Sequence, residues 1–134
     1  MIPAPTKQWA MLQMALADFD IISINPRYCI NMGAWHEPNY LQNDDGDLIP
    51  VCFVCLAGAV MARTLEAPIY QFTSPIRYSI AWEDALMRLN ILRTGAYEHN
   101  GNTHCYPVRG YHDSPTQWRI DMEHFMEYLM LFDL

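Results

Sequence analysis

The run Cys52-Phe53-Val54-Cys55-Leu56-Ala57-Gly58-Ala59-Val60-Met61-Ala62 contains no polar side chain, and it constrains the fold more than any other segment. A segment with no polar face has nothing to turn toward water, so it must lie inside. Its length and alanine content favour a helix over a strand. The predicted helix covers 52–64 and ends near Arg63-Thr64-Leu65, ahead of Pro68. A buried helix needs neighbours, and the chain offers three amphipathic segments to supply them.

The first is 6–20, where Trp9, Leu12, Leu16 and Phe19 fall at spacings of three and four and Thr6 can cap the start. The second is 80–94, with Ser79 as cap and Trp82, Ala85, Leu86, Leu89 and Leu92 as its inner stripe. The third is 115–131. It opens with Ser114-Pro115-Thr116-Gln117, which places a serine cap, a proline in the first turn and a glutamine where a capping box wants it. Between these segments, Ile21–Ile24 reads as a short extended piece and 28–35 as a strand or extended loop. Asn43-Asp44-Asp45-Gly46-Asp47 is the strongest turn signal in the chain, because Asp-Gly reaches positive φ at little cost. A short β-hairpin is therefore expected near residues 28–50. Residues 66–78 read as a loop with one short strand, and 96–113 as a long polar and aromatic loop with room for a short strand. The expectation is a mainly α (α+β) fold: a single domain over 1–134, with about four helices around a buried central one.

Composition narrows the function. The chain has 134 residues, is 51% hydrophobic and 17% charged, and carries a formal net charge of −7. Such a balance supports a real core and argues against intrinsic disorder. The single lysine, Lys7, leaves no evident cationic surface, so direct nucleic-acid binding is not expected, since Lys and Arg contacts to phosphate dominate that affinity. Anionic membranes are disfavoured on the same ground, and no stretch approaches the ~20 apolar residues of a bilayer span. The start Met1-Ile2-Pro3-Ala4-Pro5 lacks the pattern of a signal peptide, which predicts a cytoplasmic protein whose four cysteines are reduced.

The motifs that could carry chemistry are few. Cys52-x-x-Cys55 has the spacing of half a zinc site, and His104-Cys105 could supply the rest. The apolar surroundings of Cys52 and Cys55 weaken that reading and favour small buried hydrophobes. His36 beside Glu37 could form an acid–base pair, but no nucleophile pattern accompanies it. The acidic turn fails as an EF-hand, because setting Gly46 at the sixth loop position puts Leu41 first and Cys52 twelfth. No phosphate-binding glycine motif is present. Neither an enzyme nor a cofactor is expected.

Aromatic residues are 13% of the chain, and Trp35, Tyr40, Tyr70, Tyr97, Tyr106 and Tyr111 fall in predicted loops. Such residues anchor interfaces or pack half-buried. The C-terminal helix carries more apolar residues than one face can bury: Met122, Phe125, Met126, Leu129, Met130, Leu131, Phe132 and Leu134. A leftover apolar patch predicts a homodimer or a partner surface there.

The segment Tyr28–Ala62, with Gly-x-Trp, an acidic Asp-Gly turn and Cys-x-x-Cys-Leu-Ala-Gly-Ala, resembles small accessory proteins of tailed bacteriophages. The stretch Leu89-Asn90-x-Leu92-Arg93-x-Gly95 is similar as well. This resemblance implies a phage-encoded viral protein acting in the host bacterial cytoplasm, and it brings no catalytic residue. Together these features predict a protein-binding module that inhibits or redirects a host protein of the nucleic-acid-processing, transcription or defence machinery. The expected partner-binding residues are Trp35, Tyr40, Asp44, Asp45 and Asp47, with Asp121, Glu123 and Glu127 on the last helix. The alternative is a small zinc-dependent domain or enzyme using Cys52, Cys55, His104 and Cys105.

Overall fold

Four helices and two small sheets are present in the computed structural model, which describes residues 2–67 and 78–134 and shows an α+β fold. The helices are α1 (Gln8–Ser23), α2 (Leu56–Arg63), α3 (Ile80–Leu92) and α4 (Pro115–Leu131). The strands are β1 (Tyr28–Ile30), β2 (His36–Gln42), β3 (Leu48–Val54), β4 (Ala96–His99) and β5 (Asn102–Cys105). The first sheet has the order β1-β3-β2, with β1 parallel and β2 antiparallel to β3. The second is the antiparallel pair β4-β5. Among the described residues no helix is long and apolar enough to cross a membrane. The loop and strand expected at 66–78 lie mostly outside the described residues.

α1 starts later and runs further than its stripe suggests. Its N-cap is Lys7, whose side chain makes no capping bond, so the expected Thr6 cap is not used. The first helical N–H, on Gln8, instead donates to the main-chain oxygen of Leu134 at 2.8 Å. At the other end Ile21–Ser23 is the last turn of the helix rather than an extended piece. Ile22 continues the buried face of Ala15 and Asp18, and burial outweighs the β-branched preference for strand. α1 packs against α2, α3 and α4.

The all-apolar run divides between two elements. Cys52, Phe53 and Val54 belong to β3, Cys55 is the N-cap, and the helix begins at Leu56. The predicted helix start at residue 52 is therefore corrected. At its 51–54 end β3 is buried or half-buried on both faces, so it is apolar without alternation, like a buried helix. From Leu56 through Met61 every residue of α2 is buried. Gly58 is required here: a Cβ on it would lie 1.6 Å from the carbonyl oxygen of Trp35. The α2 backbone thus lies directly on the chain that leads into β2.

α3 and α4 follow their sequence signals. The Ser79 hydroxyl accepts from the N–H of Trp82, and Trp82, Ala85, Leu86, Leu89 and Leu92 are all buried. The Ser114 hydroxyl accepts from the N–H of Gln117. The Gln117 amide turns along the helix to Asp121 instead of closing a capping box. The polar segment expected as a loop holds the β4-β5 hairpin. Tyr97 of β4 and Tyr106 just after β5 pack on Phe125 and Tyr128 of α4.

Candidate functional site

The β2-β3 hairpin leaves the body of the domain. Its base is buried: His36, packed edge-on against Tyr28, opposite Val54. Its outer half is not. Tyr40 is 62% exposed, Leu48 66%, Leu41 43% and Ile49 44%. The register pairs Tyr40 with Pro50 and Leu41 with Ile49. Successive side chains alternate between faces, so Tyr40, Leu48 and Pro50 lie on one face of the arm and Leu41 and Ile49 on the other. Both faces are apolar and exposed.

The turn at the tip is built by Asn43. Its side-chain oxygen accepts from the N–H groups of Asp45 and Asp47, and its main-chain N–H donates to Asp47. Gly46 completes the turn at φ 85°, which explains why Asp-Gly stands there. With the turn backbone held by Asn43, the carboxylates of Asp44, Asp45 and Asp47 remain exposed at the end of the arm. Glu37 lies nearer the base, and no Lys or Arg falls within 36–54. The arm is therefore uniformly acidic.

The β2 edge of the arm offers few donors for strand addition. Cys52 donates its N–H to Arg27, and Val54 accepts from Asn31, so these positions of β3 turn their backbone toward β1. Ile49, Val51 and Phe53 then face β2, bonding Leu41, Asn39 and Glu37. On β2, Pro38, Tyr40 and Gln42 are left facing outward. Pro38 has no N–H, and the N–H of Tyr40 donates to its neighbour Asn39 Oδ1 at 2.8 Å. Proline and a side-chain cap on an edge both disfavour pairing with another strand.

The remaining expected site residues lie elsewhere. Trp35 is half-buried at the root of the arm, beside Gly58. Asp121, Glu123 and Glu127 sit on α4, apart from the arm in the fold. Asp121 accepts from the main-chain N–H of Arg109 at 2.9 Å and from Gln117, which hold its carboxyl below its ordinary range. Glu123 pairs with Arg119, which also holds Asp20 in a two-pronged contact. Of the three, only Glu127 is fully exposed. The acidic set therefore divides into an outward cluster on the arm and a mostly engaged row on α4. Of the loop aromatics, Tyr97 is buried and Tyr106 and Tyr111 pack against the core, while Tyr70 lies outside the described residues.

The cysteines and His104 also separate. Cys52 is buried in β3 and Cys55 is buried at the start of α2, where its sulfur accepts from the N–H of Gly58. Burial pushes the Cys55 thiol up, which keeps it protonated. His104 and Cys105 are exposed on β5, in the other sheet, with His104 stacked on Tyr97. Among the described residues no three His, Cys, Asp or Glu side chains come together as a metal site.

One pair of functional candidates escapes the sequence pattern. Arg93 and Arg109 are distant in the chain but line a common cavity of about 310 Å³ with His112. Nothing in their spacing announces this, because the loop 106–114 brings them together. The chain matches no protein-family model, no curated protein and no solved structure.

Proposed function

We propose that the chain is a protein-binding module that docks a basic surface of a host protein through the β2-β3 arm. The observation that carries this reading is an acidic hairpin with Tyr40, Leu41, Leu48 and Ile49 exposed around three aspartates. Exposed apolar side chains cost solvation unless a partner covers them. A uniformly acidic tip steers association with a cationic partner. Because Pro38 and the capped Tyr40 N–H leave few donors on the β2 edge, recognition runs through side chains on the two faces rather than through an added strand. The resemblance to phage accessory proteins motivates a bacterial host protein as partner, met in the bacterial cytoplasm, and inhibition or redirection of that protein as the outcome. Met130, Leu131 and Phe132, exposed at the end of α4, support a second contact surface that would make a homodimer.

The experiment places a photo-crosslinking residue at position 40, or at Glu127 as control, and identifies the bacterial protein captured. Association of that protein with the variant carrying Asp44→Asn, Asp45→Asn and Asp47→Asn is then measured across salt concentrations. The expected result is capture from position 40 and not from 127, with association slowed and its salt dependence flattened in the variant. Stability of the variant changes by no more than about 0.5 kcal/mol. Equal capture from both positions, or unchanged affinity and salt dependence, overturns the reading.

A further inference from the structure

Cations are scarce in this chain, with eight Lys and Arg against 15 Asp and Glu, and most of those described are neutralised. Lys7 pairs with Asp133, Arg63 with Asp18, Arg88 with Asp84, and Arg119 with Asp20 and Glu123. Arg93 and Arg109 form no ion pair with any described carboxylate, and both line the cavity of about 310 Å³ between the end of α3 and the loop 106–114. Arg93 also borders an adjoining cavity of about 190 Å³, with Asn90, Cys55 and Trp35. It is half-buried and spends only Nε, on Asn90 Oδ1 at 3.1 Å. Neither terminal nitrogen donates to a described group. A partly desolvated guanidinium with its fork unused is costly, and an oxyanion offsets that cost by binding in bidentate fashion.

The surrounding groups suit the same ligand. His112 lines the cavity and accepts the N–H of Met32 on Nε2 at 3.3 Å, which leaves Nδ1 as the ring nitrogen open to a ligand. Asp121 pins the loop by accepting the main-chain N–H of Arg109. Asp113 is the single carboxylate lining the cavity, against two guanidinium groups. The volume lies at the small end of the range for small-molecule sites.

We propose that this cavity is a binding site for a small molecule carrying an oxyanion, phosphoryl or carboxylate, held by the Arg93 fork with Arg109 as the second charge. The site is independent of the arm, which carries no Lys or Arg. The Trp118 indole N–H donates to the Arg93 carbonyl at 3.0 Å and so reports on the site.

The test titrates the protein with inorganic phosphate and separately with acetate, with chloride at matched ionic strength as control. The readouts are the amide-type resonances of the Trp118 indole and the Arg93 Nε–H. The expected result is a saturable shift with phosphate or acetate that chloride does not produce. The preferred anion identifies the source as phosphoryl or carboxylate. Arg93→Lys keeps the charge but loses the fork, and weakens binding about tenfold. Arg109→Gln, at an exposed side chain that leaves the fold intact, weakens it about threefold. Shifts that fail to saturate or match chloride overturn the proposal. So does unchanged affinity in Arg109→Gln, which decides the matter if Arg93→Lys does not fold.

Discussion

Two hairpins of this protein use the same motif in opposite ways. In β4-β5 the strands are short and the aromatic residues are anchors: Tyr97 packs on Phe125, and its hydroxyl meets that of Tyr128 at 2.9 Å. Buried Gln8 of α1 holds the same hairpin from the other side, accepting from the Glu98 N–H at 2.7 Å and donating to the Glu98 carbonyl at 2.9 Å. In β2-β3 the strands are longer, only the base is anchored, and the outer apolar residues meet water. The difference shows that exposure follows from what lies across from a strand, not from how apolar the strand is. Tyr97 on the docked hairpin is buried, whereas Tyr40, the same residue type on the free arm, is exposed.

The largest effect expected from this contrast is at the root of the arm. Gly58→Ala pushes a methyl group into the Trp35 carbonyl and should cost about 3 kcal/mol or more, because backbone cannot yield as a flexible side chain does. Thermal unfolding measures it, and a change below 1 kcal/mol would show that the root of the arm tolerates displacement. Next come the paired tyrosines. Tyr97→Ala should cost about 3 kcal/mol through the lost packing on α4, while Tyr40→Ala should stay within about 0.5 kcal/mol. Denaturant midpoints compare them directly, and equal losses would erase the distinction between docked and free hairpin.

Gln8→Ala removes both bonds to Glu98 and should cost about 2 kcal/mol, since the main-chain groups of Glu98 then lose their partners. Hydrogen exchange at Glu98 should speed up, with the β2-β3 amides unaffected. The smallest effect depends on pH. Asp121 titrates below its ordinary 3.8 when folded, chiefly because it accepts from the Arg109 N–H. The unfolded chain therefore binds more protons in that window, and the stabilisation is present above 3.8 and lost as pH falls through the folded value. Asp121→Asn should be less stable than the parent at pH 7, and the gap should close as pH falls through the folded value. A difference that stays the same size as pH falls would place the role of Asp121 in shape rather than charge.

Most local signals in this chain were legible, and the Thr6 cap and the Gln117 capping box were lost where Leu134 and Asp121 supplied other partners. Ser79 and Ser114 cap their helices, the stripe of α3 is buried as its spacing demands, and Asn43–Asp47 turns as its residues require, because each depends on neighbours within a few positions. The boundary inside Cys52–Ala62 was not legible, because an all-apolar sequence satisfies a buried strand and a buried helix equally. Only pairing with β1 and β2 decides that Val54 ends a strand and Leu56 starts a helix. The candidate site shows the same division. Tyr40 and the three aspartates are near in sequence, so one hairpin presents them together. Asp121 and Glu123 look equally acidic in the sequence, yet Arg109, Gln117 and Arg119 engage them. Two of these partners are local, since Gln117–Asp121 and Arg119–Glu123 are spaced four apart on α4. The Arg109 N–H on Asp121, the hold of Arg119 on Asp20 and the loop that brings Arg109 to Arg93 join separate segments. No local pattern encodes a long-range contact, because it forms only when the elements have packed.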